Sequence, residues 1–199
     1  MTFVVRKRNR LPHWDVSHGI QFVTWHLADA LPIEAVERLR RERDYQRQRL
    51  RETRGSVTKA DVATIEVTFR RRCEGLLDES CGSCVLRDHR AAKIVADAVT
   101  HFDEQRYRLF AWCVMPNHVH AVFSTKRSLA EVLHSWKSYT RTQINGLLHR
   151  TGKLWQDDYF DRLMRNEKQF RRAVDYVLNN PVKAGLMDWP FVRSYPERF

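Results

Sequence analysis

His118 and His120 are separated by one residue in a stretch, His118-Val119-His120-Ala121-Val122-Phe123, that reads as a β-strand. Side chains at i and i+2 of a strand leave from one face, so both imidazoles converge on one spot. Val119, Ala121 and Phe123 then take the opposite, core-facing side. Two neighbouring imidazoles are fit to hold a divalent metal, and they equally fit a pair of surface or hydrogen-bonded histidines. Tyr139 and Gln143 follow on a helix, four residues apart and therefore one turn apart on one face. If that face meets the histidines, Gln143 completes a two-histidine, one-amide metal site that leaves positions open for phosphate oxygens and water. Taken singly, Tyr139 reads as an amphipathic packing residue and Gln143 as an exposed polar one.

The elements that must position these residues are legible from periodicity and turn signals. Ile20 to Leu27 has the β-propensity of a strand. Pro32 opens an arginine-rich helical region, Gly55 and Ser56 break it, and Thr58 can cap a second helix running to about Leu77. Asp78 to Leu86 reads as a loop and Asp88 to Phe102 as a third helix. Tyr107 to Val114 and His118 to Ser124 are strands joined by a tight Met115-Pro116-Asn117 turn. Ser128 and Glu131 make a capping box for a long helix to about Arg150, with Leu129, Leu133, Trp136, Thr140, Ile144 and Leu147 as its buried stripe. Leu154 to Met164 is expected to be a strand, and Glu167 to Asn179 a last helix stopped before Pro181. Without the arginine-rich part the order is βαββαβ plus a helix, which predicts an α+β, ferredoxin-like antiparallel sheet with helices on one face. One domain spans 1–199, with a helical insertion at about 30–87 after the first strand.

Charge narrows the partners. Lys and Arg number 35 against 24 acids, for a net charge of +11 and a pI near 9.9. Such a chain attracts polyanions, nucleic acid first among them. Arg38 and Arg41 on the first inserted helix, and Arg70 on the second, form either a solvated, ion-paired surface or a phosphate-contacting one. There is no apolar run long enough for a membrane span and no secretory signal behind Met1 to Arg10, so a cytoplasmic, nucleoid-associated protein is expected. Cys81 and Cys84 form a CxxC pair, but no second pair follows, and ordinary loop thiols fit better than structural zinc.

Four blocks of sequence resemble the REP-associated tyrosine transposases, a branch of the HUH superfamily of single-stranded DNA nucleases and transposases. They are Trp112-Cys113-Val114-Met115-Pro116-Asn117-His118-Val119-His120; Lys137-Ser138-Tyr139-Thr140 with Ile144-Asn145; Leu154-Trp155-Gln156 with Tyr159-Phe160-Asp161; and Tyr176 with Asn179-Asn180-Pro181-Val182-Lys183-Ala184-Gly185-Leu186. The resemblance implies His118 and His120 as metal ligands, Tyr139 as nucleophile, and Gln143 as the third ligand. It also implies a ferredoxin-like fold and recognition of hairpins from repeated extragenic palindromes. The chain departs from the pattern in three places. It has Asp78-Glu79-Ser80-Cys81-Gly82-Ser83-Cys84 where relatives carry a glycine-rich Asp-x-Gly-x-Gly-x-Cys stretch, His26 where they often have arginine, and an unfamiliar tail after Trp189.

The expected reaction is a transesterification on single-stranded DNA through a 5′-phosphotyrosine. Mg²⁺ or Mn²⁺ would polarise the phosphate, and Lys137 and Arg141 would hold backbone phosphates or serve as plain surface charge. Single-stranded and hairpin DNA are the expected partners. No obligate protein partner is inferred, and monomer and homodimer both remain open. The rival reading is a domesticated DNA-binding protein that no longer cuts. A metal-dependent amidohydrolase barrel is excluded by length, since it needs about 250 residues.

Overall fold

The computed structural model describes residues 4–8, 11–15 and 19–199, with side chains from residue 19 onward. Val4–Arg8 (β1) and Leu11–Asp15 (β2) pair antiparallel as a small separate sheet that the sequence pattern did not predict. Then come Ile20–His26 (β3), Ile33–Arg54 (α1), Lys59–Asp78 (α2), His89–Thr100 (α3), Tyr107–Val114 (β4) and His118–Thr125 (β5). Leu129–Leu147 (α4), Phe160–Leu163 (β6), Glu167–Lys183 (α5) and Val192–Ser194 (β7) complete the chain. The main sheet has the order β6-β3-β5-β4-β7 and every pairing in it is antiparallel. Its first four strands follow the ferredoxin-like arrangement expected from βαββαβ, and β7 is an added edge.

Strand alternation divides the molecule into two cores. Val23 and Trp25 of β3, Leu109, Trp112 and Val114 of β4, and Val119, Ala121 and Phe123 of β5 pack against α3 and α4. Those two helices share one face, as the βαββαβ order predicts, whereas the last helix, α5, departs from the expected one-sided arrangement. Trp136 of α4 seals that side, stacked on Trp25 with ring centroids 5.4 Å apart and edge-on to Phe123 at 5.1 Å. Its indole N–H donates to the Tyr107 hydroxyl (3.0 Å), which donates in turn to the Val99 carbonyl (2.7 Å), so the polar tips buried here are satisfied. The other face holds Phe22, Phe110, Cys113, Met115 and Val122, and α5 covers it with Phe170, Ala173, Val174 and Val177. Full burial of each such large apolar side chain stabilises the fold by roughly 1.5–3 kcal/mol.

Two sequence expectations need correction. The strand expected over Leu154 to Met164 is confined to β6, and Leu154 to Gln156 meets β3 through a single bridge, Leu27 to Trp155. Trp155 points its side chain to the α4 side of the sheet and donates to Thr140 (2.9 Å). The last helix also runs through Pro181 instead of stopping before it. Proline removes one donor, but Ala184 N–H to Asn180 O (3.1 Å) and Leu186 N–H to Pro181 O (2.8 Å) close the final turns. Gly185, at φ +73°, then ends the helix in the left-handed conformation. Asn180 therefore lies inside the helix.

The α1–α2 hairpin leaves the sheet after β3 and returns before α3. Thr58 caps α2 with a complete capping box to Asp61. After α2 the chain makes a tight loop against Asp29, whose carboxylate accepts from the Ser83 N–H (2.9 Å). Gly82 is required there. Its φ is +85°, and a Cβ would stand 2.4 Å from the Asp29 carbonyl oxygen.

Candidate active site

His118 and His120 leave β5 on the α5 face and are fully buried. Their Nε2 atoms lie 2.9 Å apart. The outer nitrogens are held from behind, His118 Nδ1 donating to Asn117 Oδ1 (2.7 Å) and His120 Nδ1 lying 2.8 Å from Thr24 Oγ1. A donor on Nδ1 leaves the Nε2 lone pair of His118 free for a ligand role, the usual support for a metal-binding histidine. Burial keeps both rings neutral. It holds the His118 pKa well below 6.5, helped by the neighbouring His120 and His26, and it lowers His120 to about 3.

Tyr176 and Asn180 of α5 lie over this pair. The Tyr176 ring stands edge-on to His120 at 5.2 Å and to Phe22 at 5.8 Å. Asn180 is buried with its amide 3.3 Å from His120 Nε2. The Tyr176 phenol is pushed above its ordinary pKa of 10, first by burial and then by the carboxylates of Asp78 and Glu74, while Asn180 and Arg162 pull it back. Lys183 reaches over the Tyr176 ring at 5.4 Å, and Arg162 of β6 lies over Phe22 at 5.5 Å, so cations flank the tyrosine. Asp78, the last residue of α2, brings a carboxylate oxygen to 4.0 Å from His118 Nε2. The ligand atoms of Asp78, His118 and His120 all lie within 4.8 Å of one another.

This donor set fits a hard divalent cation. Two imidazole nitrogens 2.9 Å apart match neighbouring ligands of an octahedral ion with bonds of about 2.1 Å, whose separation is about 3.0 Å. The Asn180 amide oxygen, once that amide is turned, would supply an oxygen ligand of the kind that Mg²⁺ and Mn²⁺ favour.

The structure does not bring Tyr139 and Gln143 to the histidines. Both are exposed on α4, and α4 packs on the opposite face of the sheet, against the Val119, Ala121 and Phe123 side. Lys137, also on α4, donates to the Asp157 and Asp158 carbonyls at 3.0 and 3.3 Å, and burial lowers its pKa to about 8. Arg141 lines a groove of about 380 Å³ with Lys137, Trp155 and Tyr159. Arg38 and Arg41 are exposed on α1. Arg70 is half-buried, and its guanidinium donates to the Asp161 carbonyl, tying α2 to β6. The Cys84 thiol donates to the Ser80 carbonyl at 3.0 Å. The residues that sequence reasoning left without a role are Tyr176 and Asn180, and their signal was the same i, i+4 pairing of a phenol and an amide on a helix.

Neutral burial of histidine sets the pH response of the metal-free protein. The folded pKa values of His120 (about 3) and His26 (about 4) lie below the unfolded value, so the unfolded state takes up protons first. The stabilisation is present above pH 6.5 and is lost as pH falls toward the folded values, by about 1.4 kcal/mol per unit for each histidine. Urea unfolding in EDTA should therefore show a loss of several kcal/mol between about pH 7 and about pH 5, with His26→Gln removing roughly 2 kcal/mol of it. An unfolding midpoint that does not move would show that these rings are not held neutral.

Residues 85–180 match the family model of IS200-like transposases. This segment carries α3, β4, β5, α4, β6 and most of α5, and over that length the chain is similar to the IS200-like transposases. The chain is also similar to REP-associated tyrosine transposases. The chain is 30% identical over 94 residues to the REP-associated tyrosine transposase of Escherichia coli K12. It is 24% identical over 101 residues to a Haemophilus influenzae protein named as a candidate member of the same group. Those alignments cover 44% and 43% of this chain, and the chain spans about half the length of these curated relatives, 54% and 57%. The fold matches the solved structure of a REP-associated tyrosine transposase bound to a REP hairpin, with a TM-score of 0.54 at 18% identity over 93% of this chain and 82% of that one. No helix among the described residues is long and apolar enough to cross a membrane.

Proposed function

We propose that this chain is a metal-dependent endonuclease and strand transferase for single-stranded DNA, acting beside hairpins of repeated palindromic sequence through a 5′-phosphotyrosine, with Tyr176 as nucleophile. The observation that carries the reading is the seating of Tyr176 and Asn180, one helical turn apart, directly over the buried His118–His120 pair. His118, His120 and Asn180 would hold the ion, Mg²⁺ or Mn²⁺. A bound divalent cation supplies positive charge that favours the phenolate and stabilises charge on the transferring phosphoryl group.

The chain's own residues do the rest. Packing against Phe22 and His120 restrains the Tyr176 ring, so little orientational freedom remains to be lost at the reaction. Its oxygen bonds to phosphorus while the bond to the 3′ oxygen breaks. The phenolic proton leaves to solvent and the departing 3′ oxygen is protonated. Arg162 and Lys183 are placed to hold the non-bridging oxygens. The phosphodiester's energy is kept in the tyrosine ester, so a second 3′-hydroxyl can reverse the step and join strands without ATP.

The solved relative is bound to a REP hairpin, and a hairpin with an unpaired flank is the substrate proposed here. Lys137 and Arg141, in the groove on the α4 side, would contact phosphates of the stem, and Arg38 and Arg41 would extend that contact along α1. Arg70 would serve mainly to fasten α2 to β6. With such a substrate the protein would work in the cytoplasm, at the nucleoid.

The test is incubation of end-labelled hairpin oligonucleotides carrying palindromic repeats with the protein and Mn²⁺ or Mg²⁺, followed by denaturing gels. The expected product is a protein–DNA adduct that survives denaturant and disappears on proteolysis. Tight hairpin binding with no adduct under either metal would replace this reading with that of a non-cleaving DNA-binding protein.

A further inference from the structure

The metal-binding face so far assigned comes from β5 and α5, inside the segment that matches the family model. The α1–α2 hairpin lies outside that segment, yet its last residue reaches the same spot. Asp78 places Oδ1 4.0 Å from His118 Nε2, and it is the carboxylate that joins the two histidines in a cluster of ligand atoms within 4.8 Å. Its placement is built in. Asn117 is buried, and its amide nitrogen donates to the Leu77 carbonyl (3.1 Å) and the Cys81 carbonyl (3.2 Å), the two ends of the turn around Asp78. The oxygen of the same Asn117 amide receives the His118 Nδ1 proton at 2.7 Å. One side chain thus sets both the end of α2 and the tautomer of His118. On the far side of the turn, Gly82 packs against Asp29 so closely that a Cβ would stand 2.4 Å from the Asp29 carbonyl oxygen.

We propose that Asp78 is a carboxylate ligand of the ion held by His118 and His120, so that metal binding fastens the α1–α2 hairpin to the catalytic face. The proposal rests on the metal-dependent reading above. A carboxylate added to two imidazoles and an amide shifts the set toward hard, oxygen-seeking cations and adds the negative charge that two neutral histidines lack. It also gives the arginine-rich hairpin, with Arg38 and Arg41, a metal-dependent position relative to the tyrosine.

The test uses the whole protein and Mn²⁺ alone, without DNA. Free Mn²⁺ is read by its electron paramagnetic resonance signal in titrations of wild type, Asp78→Asn, His120→Ala and a remote control, Asp88→Asn. Asp78→Asn is expected to weaken Mn²⁺ binding roughly 10- to 100-fold, with Asp88→Asn unchanged and His120→Ala weaker still. Trypsin digestion supplies the second readout. Mn²⁺ should slow cleavage between residues 33 and 78 in wild type and leave Asp78→Asn unprotected. Thermal melting in EDTA should be the same for Asp78→Asn and wild type, because the Asp78 side chain is 43% exposed, which separates lost ligation from lost folding. Wild-type Mn²⁺ affinity in Asp78→Asn, with binding lost in His120→Ala, would overturn the Asp78 assignment and leave the metal-dependent reading standing. Absence of Mn²⁺ binding in wild type would overturn both.

Discussion

Tyr176→Phe should abolish the covalent protein–DNA adduct, lowering its rate of formation by at least about 10³-fold, while hairpin binding is retained. Phenylalanine keeps the ring against Phe22 and His120 and removes only the oxygen that would form the ester. The Thr24 hydroxyl, which lies behind the site, is committed to His120 Nδ1. Tyr139→Phe is the informative companion. Tyr139 is 55% exposed on the helix across the sheet, so the change should leave adduct formation within about twofold of wild type, as for an ordinary surface substitution. Denaturing gels with the three proteins side by side decide the matter. If Tyr139→Phe lost the adduct and Tyr176→Phe kept it, the nucleophile would be the residue expected from sequence, and α4 would have to reach the histidines in some other arrangement, such as exchange between two copies of the chain.

The second large effect is expected at His120. Its ring would provide a metal-facing nitrogen under the proposed mechanism, stands edge-on to Tyr176 and stacks on Phe22 at 5.5 Å. Replacement by alanine removes a ligand and opens a cavity under the tyrosine. Adduct formation should fall by at least about 10²-fold at saturating Mn²⁺, and EDTA should do the same to the wild type. Hairpin affinity in EDTA should remain within a few-fold of wild type, because phosphate contacts carry most of such binding. A gel-shift titration beside the cleavage assay measures both quantities. Cleavage that persists in EDTA and in His120→Ala would remove the metal from the mechanism. Loss of hairpin binding in parallel would mean that the histidines serve the fold or the DNA surface, and not the chemistry.

The sequence carries much of the local geometry of this site. The alternation of His118 and His120 with Val119, Ala121 and Phe123 dictates that the imidazoles share one face, because the strand period is two. The βαββαβ order gave the sheet, and the Thr58 and Ser128 caps marked two helix starts within a residue. The charge balance pointed to nucleic acid. The choice between two tyrosines was harder. Tyr139 with Gln143 and Tyr176 with Asn180 have the same spacing on amphipathic helices, and a hydrophobic stripe says only which side of a helix is buried, not which face of the sheet buries it. One physical clue was present. If Val119, Ala121 and Phe123 face the core that α4 helps to build, α4 cannot also cover the histidines, and right-handed crossovers put α3 on that side with it.

The Pro181 signal misled in the same place. Read as a helix stop, it detached Asn180 from Tyr176, whereas the final turn closes through the Asn180 and Pro181 carbonyls and keeps both residues on one helix. Contacts from remote parts of the chain were beyond local pattern altogether. Nothing near Asp78 in sequence foretells that Asn117, 40 residues from Leu77, would hold the end of α2 beside His118. Sequence by itself determined which chemical groups exist, which share a strand face or a helix face, and that the surface would attract a polyanion, because these follow from local geometry and composition. Tertiary structure alone decided which helix lies over the histidines and which carboxylate reaches them, because both depend on how separate elements pack across the sheet.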